Sequence, residues 1–419
     1  MSAVKEAVAG RLGDTRRRTL ELFAPLPHEH LVAQPCGILS PPLWDLGHIA
    51  AYEELWIAGR VAGRPSLHPD LLAVYDAAET PRAERGDAPI LSEDDARAYL
   101  GAVRDVSLAV LDAADLDAGD PLLGDGFVFD LAAQHEAQHA ETVLQAFQML
   151  PAGAYRPAAP SPAPEVAAPV AGDPWIEVPG GSFAMGAADG GFAYDCERPR
   201  HERGVAPFRI ARDPVTNAAW LAFMADDGYG RPELWSEEGW RWRLGERAEA
   251  PLYWERDGEG GWLARAFDRR DPVDPALPVC HVSAHEADAH ARWAGARLPT
   301  EPEWERAAAG APSGPGQATL GATAFAPAPA GAAAAAPSGC RGMLGDVWEW
   351  TASPFTGYPG FRAFPYREYA EVFFGPSYRV LRGGSWATQP VAARPTFRNW
   401  DLPQRRQIFA GLRLAADAA

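Results

Sequence analysis

Residues 125–149 read Asp125-Gly-Phe-Val-Phe-Asp-Leu-Ala-Ala-Gln-His-Glu-Ala-Gln-His-Ala-Glu-Thr-Val-Leu-Gln-Ala-Phe-Gln-Met149. Apolar residues recur at three- and four-residue spacing, which predicts a helix. His135 and His139 stand four apart, so a helix puts both imidazoles on one face, about 5–6 Å apart at Cβ. Working outward, residues 1–150 hold three further helical stretches, near 4–24, 41–60 and 92–114, rich in Ala, Leu, Glu and Arg. Pro41 and Pro42 stand where a helix would start, and Ser92 followed by acidic residues reads as an N-cap. Helices of this number and length predict an antiparallel four-helix bundle. On the second helix, Trp44, His48, Ala51 and Leu55 form a stripe that should face the interior. Convergence of His48, His135 and His139 in the bundle core would suit a borderline metal such as iron and leave coordination positions open.

The run His135-Glu136-Ala137-Gln138-His139 also matches the H-E-x-x-H motif of zinc proteases, with Glu136 as general base. That reading needs a third ligand downstream. The longer protease pattern asks for Gly and His where this chain has Thr142 and Gln145, and Glu165 lies in a Pro-rich stretch.

Residues 151–172 read as a Pro/Ala linker. Beyond it the texture changes: Gly, Pro and Trp rise, and short strands are expected at Trp175–Val178, Phe208–Ala211 and Tyr378–Leu381. Helix-like pieces lie around 215–227 and 283–295, and the Ala/Pro/Gly-rich segment 308–340 reads as a flexible surface loop. The fold class is α+β and multidomain: a helical bundle over 1–150, the linker, and an irregular α+β domain over 173–419.

The 419 residues carry 38 Lys and Arg against 56 Asp and Glu, a net charge of −18. Such a chain repels nucleic acid and anionic membranes. Its composition, 47% hydrophobic and 22% charged, is that of a globular protein. No stretch is long and apolar enough to span a membrane. Met1–Arg18 is charged and lacks an apolar signal core, so a cytoplasmic location is expected. Cys36, Cys196, Cys280 and Cys340 are scattered and form no C-x-x-C pair, which argues against a structural zinc site and a disulfide framework. The sequence does not specify an oligomeric state.

Ser40-Pro-Pro-Leu-Trp-Asp-Leu-Gly-His48, Glu53-Glu54-Leu55-Trp56 and the His135/His139 pair together resemble the iron-binding DinB-like bundle of the ergothioneine-type sulfoxide synthases, the hercynine oxygenases. The second half resembles the formylglycine-generating-enzyme domain, a C-type-lectin-like fold. Its marks are Val178-Pro-Gly-Gly-Ser-Phe183, Glu197-Arg-Pro199, Pro214-Val-Thr-Asn217, Ala296-Arg-Leu-Pro-Thr-Glu301, Trp304-Glu305, Gly345-Asp-Val-Trp-Glu-Trp350 and Arg382-Gly-Gly-Ser-Trp386. Formylglycine generation itself would need a copper-binding cysteine pair near the C-terminus. Leu414 stands where that enzyme has one of those cysteines, and the last cysteine here is Cys340.

The sulfoxide-synthase resemblance implies Fe(II) held by His48, His135 and His139, with hercynine, a thiol donor and O2 as small-molecule substrates. The product would link imidazole C2 to a sulfoxide sulfur. The resemblance assigns Arg82 and Arg85 to the carboxylates of γ-glutamylcysteine, where bidentate pairing favours Arg. It assigns Gln138 to hercynine, Asn399 and Trp400 to its trimethylammonium group, and Asp401 and Arg405 to the amine and carboxylate of the donor. Tyr366 resembles the family's proton-donating tyrosine, with Tyr369 as competitor. Two features depart from the pattern. Tyr52 stands where actinobacterial enzymes carry Gln, and segment 308–340 lacks the usual Pro-Trp-Gly turn. They keep open a selenoneine synthase, which joins hercynine to a selenium-containing donor. An ovothiol synthase, which normally carries a further methyltransferase domain, and a non-catalytic binding module also stay open.

Overall fold

The computed structural model describes residues 2–158, 173–314 and 316–418. The chain divides into two compact units, one built on Met1–Ala158 with Gly190–Phe192 and the other on Ala193–Ala419 with the stretch before Gly190. Most of the expected linker, 159–172, lies outside the described residues.

The first unit is built on α1 (Ala3–Phe23), α2 (Pro42–Glu53), α3 (Glu93–Ala113) and α4 (Phe127–Met149). Their starts follow the local chemistry. Ser2 and Ser92 accept the N–H groups of Lys5 and Asp95, and the three acidic residues Glu93, Asp94 and Asp95 sit in the first turn of α3, where the helix dipole favours them. Pro42 occupies the first turn of α2, where its missing N–H costs nothing. Helix α1 packs on α4, and α2 packs on α3 and α4, closing a core that includes Leu12, Trp44, Leu46, Phe129, Leu131 and Phe147.

The interior stripe of α2 ends sooner than its spacing predicts. Trp44 is 0% and Ala51 9% exposed, but Leu55 is 43% exposed. The α-helix passes into a π-helix at Glu54–Val61. The wider π turn rotates the following side chains, so Trp56 and Ile57 take the buried positions and Leu55 turns outward.

A four-residue ion-pair network crosses the bundle core. Arg16 pairs with Glu136 (2.8 Å) and Glu53 (2.9 Å), and Arg104 pairs with Glu53 (2.8 Å) and Glu136 (3.0 Å). Each helix contributes one member, and the charges cancel. Burial pushes the Glu53 carboxyl up, but Arg104 and Arg16 outweigh it and hold it below the ordinary carboxylate range. Breaking such a buried set leaves uncompensated charge. Glu136→Ala should therefore lose about 3–5 kcal/mol of stability, read as a lower urea midpoint at unchanged slope. A midpoint equal to wild type would show that the network adds nothing to stability.

The second unit holds two principal sheets. In one, β1 (Trp175–Val178), β2 (Phe208–Ala211) and β7 (Ala415–Asp417) run in the order β1-β2-β7. In the other, β3 (Trp348–Phe355), β4 (Gly375–Arg382), β5 (Asn399–Asp401) and β6 (Ala410–Leu412) run in the order β5-β4-β3-β6. Pairings in this second sheet are antiparallel except β6 with β3. Helices at Asn217–Ala225 and Ala284–Trp293 fall within the expected segments. Two others carry no apolar stripe that would announce them: Glu237–Glu246 buries only Gly239, and Glu301–Ala308 buries the carboxylates of Glu301, Glu303 and Glu305.

Many of the motif residues are paired in the interior. Arg382 bonds Glu301 and Glu305, Arg398 bonds Glu301, and Arg413 bonds Glu349, which also accepts the Trp304 indole N–H. Segment 308–340 is not the surface loop its composition suggests. Among its described residues Leu320, Ala322, Phe325, Ala328, Ala336 and Cys340 are buried. Small Ala side chains let the backbone approach closely, and the Asp346 carboxylate accepts the Ala328 N–H at 2.8 Å.

Candidate active site

In the first unit, His48 on α2 meets His135 and His139 on α4. Their potential ligand atoms all lie within 4.8 Å of one another. His48 Nε2 and His135 Nε2 are 3.1 Å apart. Two nitrogens bound to one ion at about 2.1 Å and at right angles would lie about 3 Å apart, so the spacing suits a shared metal.

Neighbouring groups orient two of the rings. His48 Nδ1 stands 2.6 Å from the Tyr75 carbonyl, which can only accept, so Nδ1 carries the proton and Nε2 keeps its lone pair. His139 Nδ1 stands 2.9 Å from Asp45 Oδ1, which leaves its Nε2 for a metal in the same way. Asp45 is 2% exposed and lies on α2 one turn before His48. Burial, followed by repulsion from His139, holds the pKa values of His48 and His135 well below the ordinary imidazole range. Neutral imidazoles are the form that ligates metals.

Aromatic rings pack against the histidines. Trp44 stacks on His48 with centroids 4.7 Å apart and planes at 16°. Tyr52, one turn after His48, stacks on His135 at 3.6 Å and 8°. The Arg85 guanidinium lies 3.7 Å over the outer face of this assembly, on the Trp44 ring. It also donates to Ser40 Oγ at 2.9 Å and to the Thr80 carbonyl at 3.0 Å, and burial pushes its pKa down to about 10. Arg82 is exposed, so the two arginines expected as a clamp stand in different environments. Gln138 lies between the two histidines of α4 and is half-buried.

Glu136 settles the protease reading. It is 1% exposed and held by Arg16 and Arg104 in the ion-pair network, so it has no carboxylate oxygen to spare as a general base.

The second unit brings Tyr366, Tyr369 and Trp400 into one aromatic cluster. Tyr369 packs edge-on to Trp400 at 5.6 Å, and Tyr366 packs edge-on to Tyr369 at 6.4 Å. Trp400 stacks on Phe355 at 4.0 Å and 9°. Strand β5 carries Asn399, Trp400 and Asp401, paired with Leu381, Val380 and Arg379 of β4. Asn399 Oδ1 accepts the Trp400 N–H at 2.9 Å. Asp401 and Arg405 are half-buried and 3.6 Å apart, facing each other across one turn of chain.

Asp45, Trp44 and the Arg–Glu network do not stand out as site groups in the sequence. Asp45 carries a signal: an acidic residue three before a candidate ligand on one helix shares its face. The network carries none, because its members lie far apart in the chain.

A family model of the DinB superfamily matches residues 11–143, and one of the Sulfatase-modifying factor enzyme 1-like domain matches residues 162–418. A curated protein of Mycobacterium tuberculosis named hercynine oxygenase is 44% identical over 98% of this chain and 99% of its own length. The chain belongs to the hercynine oxygenase family. A second member, from Mycolicibacterium smegmatis, is 44% identical over 99% of both chains. The second half alone is similar to the formylglycine-generating enzyme of Streptomyces coelicolor, 33% identical over 62% of this chain and 96% of that one. As a hercynine oxygenase family member the chain is an oxygenase. No described helix is long and apolar enough to cross a membrane.

Proposed function

We propose that this chain is a non-heme Fe(II) oxygenase of ergothioneine biosynthesis that joins imidazole C2 of hercynine to the sulfur of γ-glutamylcysteine or cysteine. The observation that carries the reading is the cluster of His48, His135 and His139, with neighbours directing the Nε2 atoms of His48 and His139 toward a common ion. In the reaction the C2 hydrogen and the thiol hydrogen leave with one oxygen atom as water. The other oxygen atom stays on sulfur, so one O2 takes up the four electrons released.

The bundle of residues 1–150 carries the iron ligands together with Arg82, Arg85 and Gln138, and the domain of 173–419, beyond the stretch 151–172, carries Tyr366, Asn399, Trp400, Asp401 and Arg405. Fe(II) bound by the imidazoles supplies open coordination positions and one-electron reactivity toward O2. Gln138 hydrogen-bonds hercynine. The Trp400 face, with Asn399, suits a quaternary ammonium group through cation–π attraction. Arg82, Arg85 and Arg405 answer the carboxylates of the donor and Asp401 its amine. Tyr366 supplies a proton.

The test is an aerobic assay of the Fe(II)-loaded protein with hercynine, offering γ-glutamylcysteine, cysteine and a selenosugar in parallel. The expected result is oxygen uptake with sulfoxide formation, fastest with γ-glutamylcysteine. Turnover confined to the selenosugar would replace this reading with selenoneine synthesis. Oxygen uptake independent of hercynine would overturn both.

A further inference from the structure

We propose that Asp195 is a positioning residue for Tyr366, holding the loop that presents the phenol through the Phe364 N–H. The inference rests on the reading of Tyr366 as proton donor. Much of this loop is exposed: Arg362, Ala363, Phe364, Arg367 and Glu368 all face solvent. It is gripped on either side of Tyr366. Before it, Asp195 Oδ2 accepts the Phe364 N–H at 3.1 Å. After it, Tyr369 stacks on Tyr194 with centroids 3.9 Å apart and planes at 10°. Both grips come from one dipeptide, Tyr194-Asp195, so the four residues between Phe364 and Tyr369 are registered against a single point of the domain.

That point is itself fixed. Asp195 is 5% exposed, and its Oδ1 accepts the Cys196 N–H at 2.7 Å. Glu197, two residues on, is 0% exposed, accepts the Tyr194 N–H at 2.9 Å, and is bound by Arg394 and Thr396. The charged groups facing Asp195 are Glu371 from the far end of the loop and Glu197 on its own turn. The cation that partners Glu197, Arg394, is already committed to it. Burial and these carboxylates therefore raise the Asp195 carboxyl to about 6, against the pull of its two N–H donors. The grip is charge-assisted above that pH and an ordinary hydrogen bond below it.

The readouts are the ratio of sulfoxide to thiol sulfinic acid made by the Fe(II)-loaded full chain, and amide hydrogen exchange of 361–371 in the metal-free protein at one fixed pH. Asp195→Ala should lower the ratio by tenfold or more, since a misplacement of about 1 Å can cost about 10²-fold. Exchange across the loop should rise, and KM for hercynine should stay at wild type. Asp195→Asn keeps the shape but only one acceptor oxygen, so like the protonated acid it can answer only one of the two backbone N–H groups; it decides the matter if the Ala variant folds poorly. Its product ratio should be independent of pH between 5 and 7.5 and match wild type at the acid end, while the wild-type ratio climbs through pH 6. If Tyr366→Phe collapses the ratio while Asp195→Ala and Asp195→Asn leave ratio, pH profile and exchange unchanged, the positioning role is overturned and the proton-donor reading stands. If Tyr366→Phe leaves the ratio unchanged, both are overturned.

Discussion

Tyr366→Phe should turn the enzyme from the proposed sulfoxide synthesis toward oxidation of the thiol alone. Two outcomes are open to an iron oxygenase holding hercynine, a thiol and O2. One is the C2–S sulfoxide, and the other is the sulfinic acid, in which both oxygen atoms end on sulfur. The branch is set by whether a proton arrives before oxygen transfers directly to sulfur. A phenol with the ordinary pKa of about 10 is protonated at neutral pH, and a positioned general acid contributes about 10²–10⁴-fold. Phe keeps the ring and removes only the donor. The variant should keep its iron, its hercynine affinity and its oxygen uptake, while sulfoxide falls by about two orders of magnitude or more and sulfinic acid rises. The products are separable by mass spectrometry. Tyr369→Phe should do much less, because the Tyr369 ring is committed to stacking on Tyr194 and packing on Trp400. An unchanged ratio in Tyr366→Phe would remove the catalytic assignment, and the reverse pattern would move it to Tyr369.

His139→Ala should lose iron and activity together. His139 supplies one of the three imidazoles of the cluster, and its ring is oriented by Asp45 at 2.9 Å. Loss of an orienting partner alone typically costs 10–100-fold in metal affinity, so deleting the ligand should cost more than about 100-fold. Iron content after dialysis measures this directly. Urea unfolding of the metal-free variant against metal-free wild type reads separately what it costs to take the His139 partner from the buried Asp45 carboxylate. Full iron retention would sink the ligand assignment.

The first unit was readable because its physics is periodic. Apolar spacing, Ser92 with the acids behind it, and Pro42 at a helix start locate α2, α3 and α4 to within a few residues. The same periodicity misplaced Leu55, since nothing in the local sequence announces the π turn at Glu54–Val61. The histidine cluster was legible from an i, i+4 pair and a third His on an apolar stripe. The place of the Arg85 guanidinium over Trp44 was not, because it is a contact between residues 41 positions apart that no window contains. In the second unit, family motifs such as Glu301, Trp304, Glu349 and Arg382 marked the fold before any contact was known. The structure gives their physical reason, which is a set of buried charge pairs and indole hydrogen bonds. The packing of 308–340 was hidden by its composition, because Ala and Gly are as common in tight backbone contacts as in loose loops.

The donor set of the cluster is three imidazoles with no carboxylate among them. Such a set ranks divalent ions by the general order of stability, in which Fe(II) stands below cobalt, nickel, copper and zinc. Affinity alone then does not select iron, and coordination geometry and metal supply must do so. With Fe(II) as the proposed metal, chain produced in zinc-rich medium, or drawn over nickel resin, should carry the stronger competitor and show little activity. Specific activity would then be a record of handling until the ions are stripped and Fe(II) is returned under reducing, oxygen-free conditions.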